Sequence, residues 1–501
     1  MSQAGKSPRG VRRGESRSGG LVTLDLARWQ FALTSINHFF FVPVTIGLAF
    51  LTALLQTAWY RTSKSEYLRL TRFFGTLLVI NVAVGVVTGL VQEFEFGMNW
   101  SAYSRLVGDI FGAPLAMEGL IAFFLESTFL GLWIFGWDRL SRRVHLLAIW
   151  LVALGTVLSA AFIMAANSWM QHPVGYAISK ATGRPQLNDI WAVLTNPVFG
   201  WGYLHVIVAS LVTASAVMLA VSAWHLRKVA GRADRGGPAS QQDPAVQENK
   251  AVFGFSLRLS LIVLVPAIIL ALFVGSELGV IEARYQPMKI AAAEAQWTTC
   301  QPCSFSLFQI GGGNNDHTPT QIIGVPHLLS LLATNSWNGK VIGLTPLQAR
   351  YAKKYGPGDY VPNVFIQYWS MRVMAYAAGL VLLLGLWGLW LVRRKTFAAS
   401  RWFLLAATWA VILPFVMNTA GWLLTESGRQ PWIVQGIQLT RNGVSPSVTF
   451  TDVVISLVVF GLLYTALGVL DAVLMVRYSR RELAPAPAPV DAEARVPSML
   501  Y

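Results

Sequence analysis

Long apolar runs recur from Trp29 to Val476, each about 20 residues or more and separated mostly by short polar segments. A run of that length with few charges crosses a bilayer as a helix, whereas a soluble helix shows only an apolar stripe. The pattern predicts spans at 29–58, 72–95, 112–137, 145–168, 198–226, 255–279, 366–392, 402–425 and 451–476. The first run is too long for a signal peptide and no cleavage site follows it, so it is expected to be retained. The expected fold is an all-α polytopic membrane protein. Residues 29–279 hold the first six spans, 280–366 form one long insertion, and 367–478 hold the last three. No internal repeat is strong enough to suggest inverted transporter halves.

Basic residues alternate between the connections. Arg61, Lys64, Arg69 and Arg72 follow the first span, and Arg139, Arg142 and Arg143 the third. Arg227, Lys228, Arg232 and Arg235 follow the fifth, Arg393, Arg394, Lys395 and Arg401 the seventh, and Arg477, Arg480 and Arg481 the ninth. The positive-inside rule puts these in the cytoplasm, with the N-terminus and the 280–366 insertion outside and the C-terminus inside. The 1–28 tail disagrees, because Lys6, Arg9, Arg12, Arg13, Arg17 and Arg28 outnumber Glu15 and Asp25. Its Gly/Ser-rich composition reads as disordered, and the internal connections outvote it; a misassigned start codon is another explanation. The 479–501 tail, with its Ala-Pro repeats, also reads as unstructured.

Composition supports the membrane reading. Hydrophobic residues make up 54% of the chain and charged residues 13%, against about 25% charged in soluble domains. The net charge of +15 does not require nucleic acid, since loop Lys and Arg orient membrane helices. Two cysteines are too few for a zinc ribbon or a thiolate-held iron–sulfur cluster.

Polar side chains inside a membrane are expensive, so their depth is informative. Counting about 1.5 Å per residue from the outer face puts His38 roughly 13 Å deep, His205 about 10 Å and Met374 about 12 Å. Glu426 lies at the outer end of the eighth span, Glu118 near the outer surface in the third, and Glu126 near its centre. His38, His205, Met374, Glu118 and Glu426 are thereby expected to share the outer half of the bilayer. Imidazole, thioether and carboxylate all ligate haem iron, and a His/Met pair makes a six-coordinate electron-transfer site. Each residue alone has a plainer reading: helix-to-helix hydrogen bonds for the histidines, packing for Met374, an ion path for the glutamates. A haem–copper centre is excluded, because only His38 and His205 are deep. His145 and His225 sit at cytoplasmic ends, and His172, His317 and His327 in outer connections. On a regular helix Glu118 and Glu126 stand roughly 80° and about 12 Å apart. Ser127 and Ser159 are candidates to extend a proton path from Glu126, although such hydroxyls often bond their own helix.

From about Leu24 to Tyr478 the chain resembles subunit I of the cytochrome bd-type quinol oxidases. The resemblance rests on Arg28-Trp29-Gln30-Phe31-Ala32-Leu33-Thr34 with His38 following, and on Gly108-Asp109-Ile110-Phe111-Gly112-Ala113-Pro114-Leu115 continuing to Glu118-Gly119. It continues through Phe123-Phe124-Leu125-Glu126-Ser127-Thr128-Phe129, Asn167-Ser168-Trp169-Met170-Gln171 and Gly428-Arg429-Gln430-Pro431-Trp432. It implies His205 and Met374 as axial ligands of a low-spin haem b, tuned by Arg372. It implies His38 as the histidine ligand in a di-haem oxygen site and Glu426, flanked by Trp422 and Arg429, as the carboxylate ligand of the other high-spin haem. Glu118 matches a second carboxylate there, Glu126 the proton-path acid and Glu93 a further buried acid. In the insertion Lys289 and Glu294, with Gln286 as accessory, match the quinol-binding residues; a solvated Lys289–Glu294 ion pair is the plainer alternative. Cys300 and Cys303 depart from the commonest pattern, and an oxidising compartment favours a disulfide between them.

The implied cofactors are low-spin haem b, high-spin haem b, and haem d or a third haem b. The implied partners are an oxidase subunit II, optional small single-helix accessory subunits, membrane quinol and oxygen. The expected activity is electrogenic, non-pumping quinol oxidation at the outer face of a bacterial plasma membrane, with oxygen reduced to water by cytoplasmic protons. Two rivals stay open here: a non-oxidase haem-b quinone electron carrier, and a haem-free secondary transporter using Glu118 and Glu126.

Overall fold

The computed structural model describes residues 9–241 and 243–483. Among the described residues, nine helices are long and apolar enough to cross a membrane: Val22–Thr62, Ser65–Met98, Ser101–Phe135, Arg142–Gln171, Pro197–Gly231, Val246–Tyr285, Val364–Arg393, Arg401–Gly428 and Phe450–Ser479. Each predicted run overlaps one of them in order. The third begins at Ser101, well before the expected 112, because Arg105 and Asp109 end the apolar run without ending the helix. The 1–28 tail is also corrected in part. The first helix runs Arg9–Thr62, since extending a formed helix is far cheaper than nucleating one. Residues 1–8 and 484–501, the remainder of the expected tails, lie outside the described residues.

Two spans are irregular, the third span at the candidate residue Glu118. The third runs Ser101–Met117, opens into a π-helical turn at Glu118–Phe123, and resumes as Phe124–Phe135. Such turns are frequent at functional sites. The eighth is divided into Arg401–Trp409 and Ile412–Gly428. Pro414 explains the break, because it has no N–H and its ring clashes with the carbonyl four residues earlier.

The first span is the hub, packing on the second, fourth, fifth and ninth; the fifth packs on the sixth and the seventh on the eighth. A Cβ at Gly47 would lie 2.3 Å from the Ser210 carbonyl oxygen, so the first and fifth backbones meet there. Close approach at small residues is how helices pack in lipid, where tails are as apolar as leucine. A large core of Leu48, Leu51, Leu70, Leu77, Phe253 and Leu257 fills the interior between these spans.

The insertion is folded. It holds helix Pro287–Ala293, an antiparallel hairpin of Phe305–Ile310 with Thr320–Val325, and helices Leu328–Thr334 and Leu344–Tyr355. The Gly311-Gly312-Gly313-Asn314-Asn315 run is the hairpin turn, with Gly311 and Gly312 at φ +76 and +78, a region that favours glycine. Asn314 then pins the turn to the start of the seventh span, donating to the Pro362 carbonyl (3.0 Å) and accepting from the Val364 N–H (2.8 Å). Cys300 and Cys303 are joined by a disulfide. Met288, Ala291, Ala292, Leu344, Leu347 and Tyr351 form a core that includes Trp432, from just beyond the eighth span. The insertion is thereby seated against the adjoining ends of the sixth, seventh and eighth spans.

Candidate functional site

The candidate ligands arrive one per span: His38 from the first, His205 from the fifth, Met374 from the seventh and Glu426 from the eighth. Each of the three neutral ones lies against a glycine of a neighbouring span. A Cβ would stand 3.0 Å from His38 Cε1 at Gly89, 3.1 Å from His205 Cε1 at Gly275, and 3.2 Å from Met374 Sδ at Gly421. His38 Nδ1 pairs with the Thr88 hydroxyl at 2.9 Å, which fixes the ring and leaves Nε2 for another partner. His205 Nδ1 is buried with no hydrogen-bond partner. Trp422 stacks on Phe39, next to His38, with centroids 5.1 Å apart, joining the eighth span to the first. Imidazole, thioether and carboxylate donors, presented singly from different helices, fit haem iron whose porphyrin already supplies four nitrogens.

Glu426 is held on both oxygens. The Asn167 side chain donates to Oε1 at 2.8 Å, and Arg429 donates to Oε2. Glu118 and Glu126 both meet the fourth span, and their partners there are one helical turn apart. Ser159 donates to Glu118 Oε1 at 2.6 Å, while a Cβ at Gly155 would lie 2.9 Å from the Cβ and backbone N of Glu126. This corrects the separation of roughly 80° expected from an unbroken helix, because a π turn holds more residues and rotates less at each. Ser159 thus serves Glu118, and Ser127 bonds its own helix at the Phe123 carbonyl (2.7 Å). Glu93 is exposed in this chain; Glu95, two residues and about 200° further round the helix, is the buried acid and accepts from the Thr34 hydroxyl at 2.9 Å.

The plainer alternative, a solvated Lys289–Glu294 ion pair, does not form: both residues are buried and each has another partner. Lys289 is 1% exposed and bonds Glu282 Oε1 at 2.8 Å and Gln171 Oε1 at 2.6 Å. Glu294 pairs instead with Arg372, Nη2 to Oε2 at 2.7 Å and Nη1 to Oε1 at 3.2 Å. The reason is the break at Gln286. Glu282 lies in the last turn of the sixth-span helix, which ends at Tyr285, and Lys289 in the first turn of the Pro287–Ala293 helix, so the bend between the two helices brings lysine and glutamate together. Glu294, in contrast, follows the end of the Pro287–Ala293 helix and reaches Arg372 of the seventh span. Arg372 also donates to the carbonyls of Ser306 and Ala293 and lies 3.9 Å from the Tyr368 ring centroid. A planar guanidinium satisfied on all sides is a clip, here fastening the insertion two residues from Met374. Burial pushes the Glu294 carboxyl above the usual carboxylate range, against the pull of Arg372.

Gln286 donates to the Gln171 carbonyl at 2.7 Å, and its Oε1 is buried without a partner. It lines a small cavity with Lys289, Arg429 and Trp432; Arg429 Nε and Nη1 and Trp432 Nε1 are likewise buried without partners. Sequence reasoning missed Glu282, Glu95, Asn167 and Gln171 as individual actors. Glu282 carried a signal, an acid in the last turn of the sixth span one turn before Gln286. Asn167 and Gln171 lay inside a quoted motif with spacing of one turn.

Comparisons with known proteins identify the family. The family described as "Cytochrome bd terminal oxidase subunit I" matches residues 26–483. The chain is 44% identical over 459 residues to cytochrome bd ubiquinol oxidase subunit 1 of Bacillus subtilis, covering 91% of this chain and 93% of that one. It is 36% identical to cytochrome bd-II ubiquinol oxidase subunit 1 of Escherichia coli, covering 91% and 96%. In three dimensions it is similar to the bd oxidase of Geobacillus thermodenitrificans, with a TM-score of 0.81 at 28% identity over 93% of this chain and 100% of that chain. A match over nearly the whole chain, with the quoted motifs on the expected spans, makes this protein a member of the cytochrome bd terminal oxidase subunit I family.

Proposed function

We propose that this chain oxidises quinol at the outer face of the membrane and reduces oxygen to water with protons drawn from the cytoplasm. Family membership supplies the coarser frame: a haem-carrying terminal oxidase subunit in a bacterial membrane, an oxidoreductase acting on quinol alongside a subunit II. That frame leaves no place for a haem-free secondary transporter. The observation that carries the finer reading is the Glu294–Arg372 pair. It binds the segment assigned to quinol to the turn of the seventh span that presents Met374.

His205 and Met374 would hold low-spin haem b, and His38 and Glu426, with Glu118 nearby, the high-spin haems. When bound, the haems take electrons from quinol and pass them to oxygen. The chain's own residues handle binding and protons. Gln286 offers its free Oε1 to a quinol hydroxyl at the small cavity. Lys289 and Glu294 stand behind it as charged ends of two buried pairs, Glu294 being the acid placed to accept a proton as quinol is oxidised. On the oxygen side, Glu126 passes protons toward Glu118, whose Oε1 is held by the Ser159 hydroxyl. Opposite faces for release and uptake make the reaction electrogenic without a pump, with the N-terminus outside and the C-terminus cytoplasmic.

The third span is the natural seat for subunit II. It buries least among the nine, exposing Leu120, Ile121, Phe124 and Phe135 with the polar Ser127 and Thr128 among them. Bare lipid is a poor neighbour for those hydroxyls beside an acid. The test is quinol-driven oxygen uptake by the purified complex together with its reduced-minus-oxidised spectrum. The proposal expects uptake and both low-spin and high-spin haem bands. Haem bands without uptake support the non-oxidase quinone carrier, and absence of haem bands contradicts both redox readings.

A further inference from the structure

The polar residues around Glu426 form one continuous chain that reaches the insertion. Lys289 Nζ donates to Gln171 Oε1 at 2.6 Å, Gln171 Nε2 to Asn167 Oδ1 at 2.8 Å, and Asn167 Nδ2 to Glu426 Oε1 at 2.8 Å. Behind Lys289 stands Glu282 at 2.8 Å, and beyond Glu426 stands Arg429 on the second carboxylate oxygen. Lys289, Gln171 and Arg429 are buried, and Asn167 is 7% exposed. Gln171 and Asn167 are four residues apart on the fourth span, so one helix face carries both links.

An amide presents its oxygen or its nitrogen with little intrinsic preference, but here the two ends decide. An ammonium only donates and an ionised carboxylate only accepts. A donor at the Lys289 end therefore orients Gln171, which orients Asn167, which presents its Nδ2–H to Glu426 Oε1. Every bond in the chain points the same way, and reversing either amide would set oxygen against oxygen or nitrogen against nitrogen. Side-chain amides also neither take up nor release protons near neutral pH, unlike hydroxyls, imidazoles or carboxyls. The chain transmits orientation and charge but not protons.

We propose that Gln171 and Asn167 are positioning residues that fix the Glu426 carboxylate from the quinol-side Lys289, while keeping the two ends of the chain isolated for protons. This rests on Glu426 being the axial carboxylate of a high-spin haem. Glu426 and Lys289 belong to the assigned machinery; the two amides act through them. The consequence is that a change at Gln171, distant from Glu426 by two hydrogen bonds, alters the high-spin site and leaves the low-spin site untouched.

The decisive variant is Gln171→Glu in the intact complex. It keeps an oxygen for Lys289 but removes the N–H that orients Asn167. The readouts are the reduced-minus-oxidised bands and the midpoint potentials of the separate haems, with the low-spin band as the internal control for folding. The expected result is a shifted potential or lost intensity at the high-spin haem, with the low-spin band and potential as in wild type. Asn167→Leu is expected to do the same. An unmoved high-spin signature in Gln171→Glu would overturn the proposal, since a Gln171 that only packs on Lys289 tolerates that change. If Gln171→Glu loses the low-spin band too, Gln171→Met decides, because it removes both bonds without adding charge. A selective high-spin change in Gln171→Met upholds the proposal and an unchanged spectrum overturns it. A wild-type complex with no high-spin band would instead contradict the haem assignment itself, so the two failures are distinguishable.

Discussion

Replacing Lys289 by methionine separates a quinol ligand from a structural cation. Lys289 is 1% exposed, and its ammonium is shared between Glu282, whose side chain is 11% exposed, and Gln171. Its stem packs tightly, since a Cβ at Gly428 would lie 2.5 Å from Lys289 Cγ. Methionine keeps most of that stem, so packing changes little and the loss is the charge. Removing one partner of a buried pair leaves the other uncompensated and costs about 3–5 kcal/mol. Neutralising both partners removes that penalty. The Lys289→Met/Glu282→Gln double variant is therefore expected to be at least about 2 kcal/mol more stable than the sum of the single losses. The assay is denaturant unfolding of the purified complex in mixed micelles for wild type, both single variants and the double variant, with oxygen uptake measured on each. The account expects stability to recover in the double variant while the apparent KM for quinol stays raised. Additive losses would refute the buried-pair reasoning, and a full return of KM would remove Lys289 from the quinol site.

Two further outcomes follow from particular contacts. Gly421→Val drives a branched side chain toward Met374 Sδ, which already lies 3.2 Å from where a Cβ would stand, so the low-spin band is expected to weaken or shift; an unchanged band would show that the thioether has room to spare. Asp316 accepts from both the hydroxyl and the N–H of Thr318, which hold its carboxyl below the usual range. A depressed folded pKa means that the order it lends the hairpin turn is present above about pH 3.9 and is lost as pH falls through the lower folded value. Hydrogen exchange across 311–318 as a function of pH measures this, and protection that is flat or rises on acidification would contradict it.

Much of this architecture was legible in the sequence because the bilayer imposes a strong rule: apolar length sets the span. The same rule gave an expected depth, which put His38, His205, Met374 and Glu426 in one candidate layer. What depth cannot give is angle. Glu93 and Glu95 sit at nearly equal depth, yet only Glu95 faces inward, where Thr34 meets it. The π turn at Glu118–Phe123 changes the relation of Glu118 to Glu126 without any break in hydropathy. The insertion was less legible still, since its pairings depend on contacts distant in sequence. Lys289 and Glu294 stand close enough in the chain to suggest each other, but Glu282 takes the lysine and Arg372 takes the glutamate. The glycine run at 311–313 carried no recognisable motif, and its role as a hairpin turn appears only when Asn314 reaches the seventh span.

The central claim is that iron is ligated by single side chains from separate spans, and Met374 tests it most directly. On the proposed assignment Met374 would hold the low-spin haem together with His205, and leucine matches its bulk without a donor sulfur. The reduced-minus-oxidised and magnetic circular dichroism spectra of Met374→Leu in the intact complex should show the low-spin haem b converted to a high-spin form, with total haem content unchanged. A spectrum identical to wild type would remove Met374 from the ligand set and contradict the account.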